Sequence, residues 1–440
     1  MGIQILNAMK FYARLICLFC WGILFHQRPS AQGLINGLPE KNGFSAERLA
    51  KIDKIVQQYI DSGWINGAIG LVARNGQIVY HKGLGFDNKQ TGKPMTKDAI
   101  FRIASQTKAI TSVAVMQLVE NGQILLDDPI SKYIPAFRKP RVLEKFNKAD
   151  SSFTSIPAKK EISIRELLTH TSGIGYAQIG DPVTTAIYAK AGVVGGIGVQ
   201  AGMTLSKNML ALAKLPLLHQ PGEKWTYGLN TDLLGYLIEV VSGMSLDAYF
   251  KKHIFDPLGM SDTYFYLPKE KQSRLAMLHT EDSLKHAIPM PAVIRVNGQF
   301  DRDYPNTVGG TFYSGGGGLV STALDYAKFM QMLLNGGDYN GKHLISKASL
   351  RLMTTNQIGN LSRSPQKDVK FGLGFELVTA SNYGQSYVSM DSFFWGGMFS
   401  SSYWIDPREK IVAQFVLQMY PASHGDINEK FKVQVYQALQ

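Results

Sequence analysis

The sequence predicts an α/β protein: an antiparallel sheet flanked by N- and C-terminal helices, with an all-α lobe inserted between the two halves of the sheet. Two observations predict it. Strand patterns gather near the two ends of the chain, at 67–81 and 371–418, while helical spacing fills the middle. Each end also carries a helix pattern with a capping residue, suited to covering a sheet that both ends build. The chain has 440 residues, 45% of them hydrophobic, enough for a large buried core. The expected division is a leader at 1–31 and one domain at 32–440. Within the domain an α/β lobe takes about 45–100 and 311–440, and a helical lobe about 101–310.

The leader rests on Lys10 and Arg14 ahead of the apolar run Leu15 to Phe25, with small residues at Ser30-Ala31. That run is too short for an ordinary membrane span. A secreted or periplasmic protein follows, meeting the membrane only through its signal sequence; an uncleaved anchor is the alternative. Cys17 and Cys20 both lie in the run, so the mature chain would hold no cysteine, no disulfide and no thiolate chemistry. The formal charge of +12 is dispersed, with no basic block interleaved with aromatics, which argues against nucleic acid as a partner. Nothing in the sequence marks an oligomeric state.

Ser45 caps a helix from Ala46 to about Ser62, whose buried stripe is Leu49, Ile52, Val56, Tyr59 and Ile60. Gly67 to Val72 and Gln77 to His81 are strands joined by a hairpin at Asn75-Gly76. A helix opening at Ser105 buries Ile110, Val113, Met116 and Leu118, and ends at Asn121-Gly122. Residues 138–160 are charged and irregular and read as a surface loop. Ser163-x-x-Glu166 is a capping box for a short helix that ends at His170-Thr171-Ser172-Gly173. The Gly-, Ala- and Thr-rich stretch 174–204 reads as a flexible wall over a cleft. Helices recur at 205–214, 231–242 and 245–254, and Thr322-x-x-Asp325 caps another ending at Asn335-Gly336. Strands follow at Phe371 to Val378, Val388 to Phe394, Ser401 to Ile405 and Ile411 to Gln418, with a turn at Asp406-Pro407. Asp426 caps the last helix.

The chemistry centres on Ser105-Gln106-Thr107-Lys108. Serine and lysine three apart share one helix face. A lysine held near a serine in a dry cleft can lose its proton and accept the serine's. A lone Ser-x-x-Lys is also an ordinary helix cap beside a solvated lysine, so other parts are needed. Tyr227, in Trp225-Thr226-Tyr227-Gly228-Leu229-Asn230, could shuttle a proton at neutral pH as a tyrosinate held near two cations. Trp395-Gly396-Gly397-Met398 places two glycines in a strand, where a substrate or another backbone can approach closely.

Together these segments resemble the penicillin-recognising serine hydrolases, nearest the class C β-lactamases and the family VIII carboxylesterases. Further phrases carry the likeness: Phe101-Arg102-Ile103-Ala104-Ser105, Leu167-Leu168-Thr169-His170-Thr171-Ser172-Gly173, Asp232-Leu233-Leu234-Gly235, Pro257-Leu258-Gly259-Met260 and Gly317-Gly318-Leu319-Val320-Ser321. The resemblance spans about 45–440. It implies a β-lactamase/transpeptidase-like fold and an acyl-enzyme mechanism. Ser105 would be acylated, Lys108 and Tyr227 would move its proton, and the backbone N–H groups of Ser105 and Met398 would form the oxyanion hole.

Two departures bear on substrate. Class C β-lactamases carry Tyr-x-Asn where this chain has Leu229 third, and Lys-Thr-Gly where it has Trp395-Gly396-Gly397. The lost lysine and amide would have bound a carboxylate-bearing substrate. Leu229, Trp395, Gly396 and Gly397 are therefore the expected substrate-binding positions, and small carboxylic esters the expected substrates. A β-lactamase or D-amino-acid peptidase, and a non-catalytic acyl-binding or sensor protein, are the alternatives. Tyr176, Trp225 and Phe394 either line an acyl pocket or pack in the core, and His170 reads as loop structure. No cofactor or metal is expected. The histidines show no His-Glu-x-x-His spacing, and Gly196-x-Gly198-x-x-Ala201 follows no strand that would make it a dinucleotide loop.

Overall fold

The computed structural model describes residues 33–440, apart from 178, 198, 200, 201, 296–298 and 365. The expected leader, with Cys17 and Cys20, lies outside the described residues, as do Gly198 and Ala201. The centre of the fold is a nine-stranded sheet: β1 (Ile35–Asn36), β2 (Gly67–Arg74), β3 (Gln77–Asn88), β4 (Lys93–Pro94), β5 (Lys370–Phe371), β6 (Glu376–Leu377), β7 (Phe393–Gly397), β8 (Ser401–Asp406) and β9 (Ile411–Val416). Their order is β1-β3-β2-β9-β8-β7-β6-β5, with β4 against β3. All pairs are antiparallel except β1–β3. The junction between the two ends of the chain is β2–β9, with Ile69 opposite Val416 and Ala73 opposite Val412.

Six helices matter to the site: α1 (Lys51–Asp61), α2 (Thr107–Glu120), α3 (Ile164–Leu168), α4 (Asn230–Ser242), α5 (Ala323–Leu334) and α6 (Ile427–Gln437). Alternation along β2, β8 and β9 sends side chains to two different cores. Ala68, Val72, Trp404, Ala413 and Phe415 pack with Ile52 and Val56 of α1 and Phe431 and Val435 of α6. Ile69, Leu71, Tyr403, Val412 and Val416 face the other way, into a core shared with α2, α4 and α5. α2 is buried on nearly all sides, so it is a central strut rather than a surface helix.

Several expectations are met in detail. Ser45 accepts the Arg48 N–H as a cap, and Ser163 and Glu166 form a complete capping box. Thr322 caps α5 through the Asp325 N–H. Others are corrected. Residues 138–160 are no loop: Arg141–Phe146 and Phe153–Pro157 form an antiparallel hairpin, whose apolar alternation is masked by Glu144 and Lys145. The wall at 174–204 contains a helix, Pro182–Lys190, capped by Asp181 and tied down by Tyr188, whose hydroxyl accepts the Gly175 N–H. Phe371 to Val378 is not one strand, because Gly374 turns back at φ 99° between β5 and β6. The strand expected at Val388 starts only at Phe393 and runs on through the two glycines to Gly397. Asp426 makes no side-chain cap; its carboxylate takes the Tyr59 hydroxyl at 2.6 Å and Lys430 at 3.0 Å instead.

One buried group gives the fold a pH dependence. Burial holds the His279 imidazole down to about 4 from 6.5, against a smaller opposing pull from Asp87. The folded protein keeps this ring neutral while the unfolded chain takes up a proton below pH 6.5. The unfolded state then binds more protons, so stability falls as pH drops through that window, by up to ~3 kcal/mol for this residue. Urea denaturation of the wild type should therefore show a steeper loss of stability between pH 6.5 and 4 than His279→Gln; equal slopes would contradict the assignment.

Candidate active site

Ser105 does not start a regular helix. Phe101–Arg102 pairs with Val320–Ser321, the backbone reverses at Ala104 with φ 45°, and Ser105 sits in a 3-10 turn, Ala104–Gln106, before α2 begins at Thr107. A left-handed alanine is strained and persists only where its surroundings fix it. Here the Ile103 N–H donates to Leu319 O at 3.1 Å, the Tyr326 hydroxyl to Gln106 O at 3.0 Å, and the Gln414 amide to Gln106 Oε1 at 2.7 Å. Arg102, fully buried, adds donations to Ala276 O at 2.9 Å and Arg302 O at 2.6 Å.

Lys108 is 2% exposed. Its ammonium donates to Gly316 O at 2.6 Å and to Ser105 Oγ at 3.3 Å, and lies 4.8 Å from the ring centre of Tyr227 and 5.6 Å from that of Tyr176. Aromatic faces and a carbonyl thus replace the water a buried cation loses. The Tyr227 hydroxyl donates to Ser105 Oγ at 2.7 Å. The loop carrying Tyr227 is stitched to the segment after α3: Thr226 N–H to His170 O at 2.8 Å, Leu229 N–H to Gly175 O at 3.0 Å. A Cβ at Gly228 would meet Ile174 O at 2.0 Å, so only glycine allows that approach.

His170 supports this loop, in line with its sequence reading. It sits at φ 59°, 4.9 Å from the Tyr227 ring, and accepts the Asn230 amide on Nδ1 at 2.9 Å. Burial, helped by the charge on Lys108, pushes its pKa well below the usual value, so it stays neutral. Asn230 also takes the Ser172 hydroxyl and is fully buried, so its amide is spent on the loop rather than offered to a ligand.

β7 supplies the opposite wall. A Cβ at Gly397 would lie 2.5 Å from both Ile103 O and Ser401 Oγ, because the strand presses against the turn that carries Ser105. Ser105, Tyr227, Trp395, Gly396, Gly397 and Met398 line one cleft of about 510 Å³. Trp225 and Phe394 line it as well. Tyr176 does not; it is buried and stacks on Tyr227 at 5.4 Å. Leu229 is a correction: it is fully buried in the core at the start of α4 and is not part of the cleft wall. The turn that lifts Tyr227 towards Ser105 points the second residue after it inwards.

Arg363 escaped the sequence reading, and Asp232 entered it only as part of a family phrase with no role in the site. Arg363 lies over the Trp395 ring at 5.1 Å and the Trp225 ring at 5.7 Å, and pairs with Glu376 at 3.0 Å. Burial raises the Glu376 pKa, and Arg363 opposes that rise. Asp232 is buried behind Gly316. Neither stands in a spacing that marks a site, although the four-glycine run Gly315–Gly318 hints that a backbone turn must pack closely there.

A serine oxygen within reach of a buried ammonium and a phenol, under an aromatic cleft, is the constellation of a serine hydrolase that works without a histidine base. Residues 52–434 match the family model described as Beta-lactamase, and the chain belongs to that family of serine hydrolases. Esterase EstB of Burkholderia gladioli is 29% identical, over 82% of this chain and 88% of EstB. The lovastatin esterase of Penicillium rubens is 30% identical, over 87% of this chain and 96% of that enzyme. Among solved structures, EstCE1, described as a hydrolase with promiscuous acyltransferase activity, superposes with a TM-score of 0.76 at 26% identity, covering 89% of this chain and 99% of its own. The sheet and helices described above are the β-lactamase/transpeptidase-like fold.

The tight packing of Gly397 can be tested without knowing a substrate. Gly397→Ala forces β7 away from Ile103 and should slow phosphonylation of Ser105 by a fluorophosphonate at least tenfold, a barrier rise of ~1.4 kcal/mol or more. Intact-mass spectrometry follows the adduct with time; an unchanged rate would mean that the strand can shift without cost.

Proposed function

We propose that this enzyme is a carboxylesterase for small, uncharged esters, working through an acyl-Ser105 intermediate. The observation that carries it is Trp395, an indole in the cleft wall beside Ser105 where a carboxylate-binding cation would suit an acidic substrate. Trp225 and Phe394 extend the same apolar surface, which favours an uncharged acyl or alcohol group. Two relatives named for ester hydrolysis, at 29% and 30% identity, support the reading.

In this mechanism Ser105 Oγ attacks the ester carbonyl carbon while its proton passes to the Lys108–Tyr227 pair. The backbone N–H groups of Ser105 and Met398 take the developing oxyanion. Collapse breaks the bond to the alcohol, which leaves with the proton held by the pair. Water then attacks the acyl carbon, again giving a proton to the pair, and the carboxylic acid departs as Ser105 recovers its own. Tyr227 Oη, 2.7 Å from Ser105 Oγ, and Lys108 Nζ, at 3.3 Å, are both within range for the transfer.

A second reading, cleavage of an amide or β-lactam bearing a free carboxylate, draws on Arg363, a cation in the cleft wall. Its pairing with Glu376 at 3.0 Å weighs against it, since an incoming carboxylate would have to displace one already in place.

Turnover of p-nitrophenyl esters of graded chain length tests the first reading. Ser105→Ala should lower kcat by roughly a thousandfold or more. Retained activity in that variant would remove Ser105 as nucleophile. Nitrocefin or a D-Ala-D-Ala peptide turned over as fast as the best ester would favour the second reading. For the wild type, kcat/KM should rise with pH to a plateau as the accepting group loses its proton.

A further inference from the structure

The carbonyl that holds Lys108 is itself held. Gly316 O accepts the ammonium at 2.6 Å, while on the other side of the same turn the Gly316 N–H donates to Asp232 Oδ1 at 3.3 Å. The Ser314 hydroxyl donates to that oxygen at 2.5 Å. Asp232 stands in the first turn of α4 and is 1% exposed. The closeness depends on glycine: a Cβ at Gly316 would lie 2.6 Å from Asp232 Oδ2, and one at Gly315 would lie 2.6 Å from Thr231 O. Asp232 Oδ2 has no hydrogen-bond partner among the described residues.

A buried carboxylate with one bare oxygen is costly unless a positive charge is near. The charge here is Lys108. The titratable groups facing Lys108 are Tyr227 and Tyr176 through their rings, His170, held neutral, and Asp232. Asp232 is the carboxylate among them, and the acyl-transfer mechanism above gives it no part.

We propose that Asp232 is a positioning residue for the Ser105–Lys108–Tyr227 site: its carboxylate fixes the Gly316 carbonyl on the Lys108 ammonium and, through its charge, raises the pH at which the Lys108–Tyr227 pair releases a proton. The proposal rests on the catalytic reading of Ser105, Lys108 and Tyr227. Burial pushes the carboxyl of Asp232 up, while Ser314, Lys108 and the Gly316 N–H pull it down by favouring the ionised form. Cation and carboxylate therefore stabilise each other behind the nucleophile. Either partner of the pair, phenol or ammonium, releases its proton more readily once that negative charge is gone.

Asp232→Asn is the test. It keeps the size of the side chain and an oxygen for the Ser314 and Gly316 donors, and removes the charge. The acid limb of kcat/KM for p-nitrophenyl butyrate should move to lower pH by about 1 to 3 units. The pH dependence of Ser105 phosphonylation by a fluorophosphonate should move with it. A carboxylate that only props up the turn would lower the plateau and the Tm and leave the limb in place; that result overturns the proposal. Ser314→Ala provides a second route if the amide variant does not fold. Losing its shortest hydrogen bond favours the neutral carboxyl, so the limb should shift the same way by less, and no shift again overturns the proposal. If Ser105→Ala stays active, the catalytic reading fails and this proposal with it. If Ser105→Ala is inactive and the limb is stationary in both variants, the proposal alone fails.

Discussion

The ammonium of Lys108 is the group around which the site is arranged. It is almost shut off from solvent, and such a cation must find its partners within the protein. Gly316 O, Ser105 Oγ and two tyrosine faces provide them. Each comes from a different part of the chain, so each must be anchored separately. Gly316 leans on Asp232, Tyr227 on the stitched loop above His170, and Ser105 on the strained turn at Ala104. Removing one anchor disturbs the solvation of a buried charge, which is why these supports are themselves buried and hydrogen-bonded.

Much of this was legible in the sequence because its signals are local. A capping box such as Ser163-x-x-Glu166 needs four residues, and the Ser105–Lys108 spacing needs one helical turn. The sheet was legible where strands alternate, and misread where glycine decides. Gly374 breaks an apolar run into two short strands, while Gly396-Gly397 prolongs a strand that propensity would end. The hairpin at Arg141–Phe146 and Phe153–Pro157 was hidden because its exposed charges interrupt the pattern.

Parts of the site that depend on long-range contact were not legible. Arg363 reaches Trp225 and Trp395 from a loop whose spacing to either means nothing in one dimension. Leu229 was misplaced for the opposite reason, since a motif position suggested a side-chain direction that only the backbone turn determines. The cleft wall combines the Trp395 indole with an ion pair, Arg363 and Glu376, so its aromatic surface carries fixed opposite charges. Its polarity thus varies with position, and composition alone would not have revealed it.

The junction of β2 with β9 has a consequence for biosynthesis. β2 is central in the sheet, yet its partner on one side, β9, begins only at Ile411, far along the chain from β2. As the polypeptide leaves the ribosome, the β2–β3 hairpin must wait with a bare, apolar edge until Ile411–Val416 has been made. Such an edge is a template for the wrong strand as readily as for the right one. A nascent chain that has not reached Ile411 has no β9 to cover that edge.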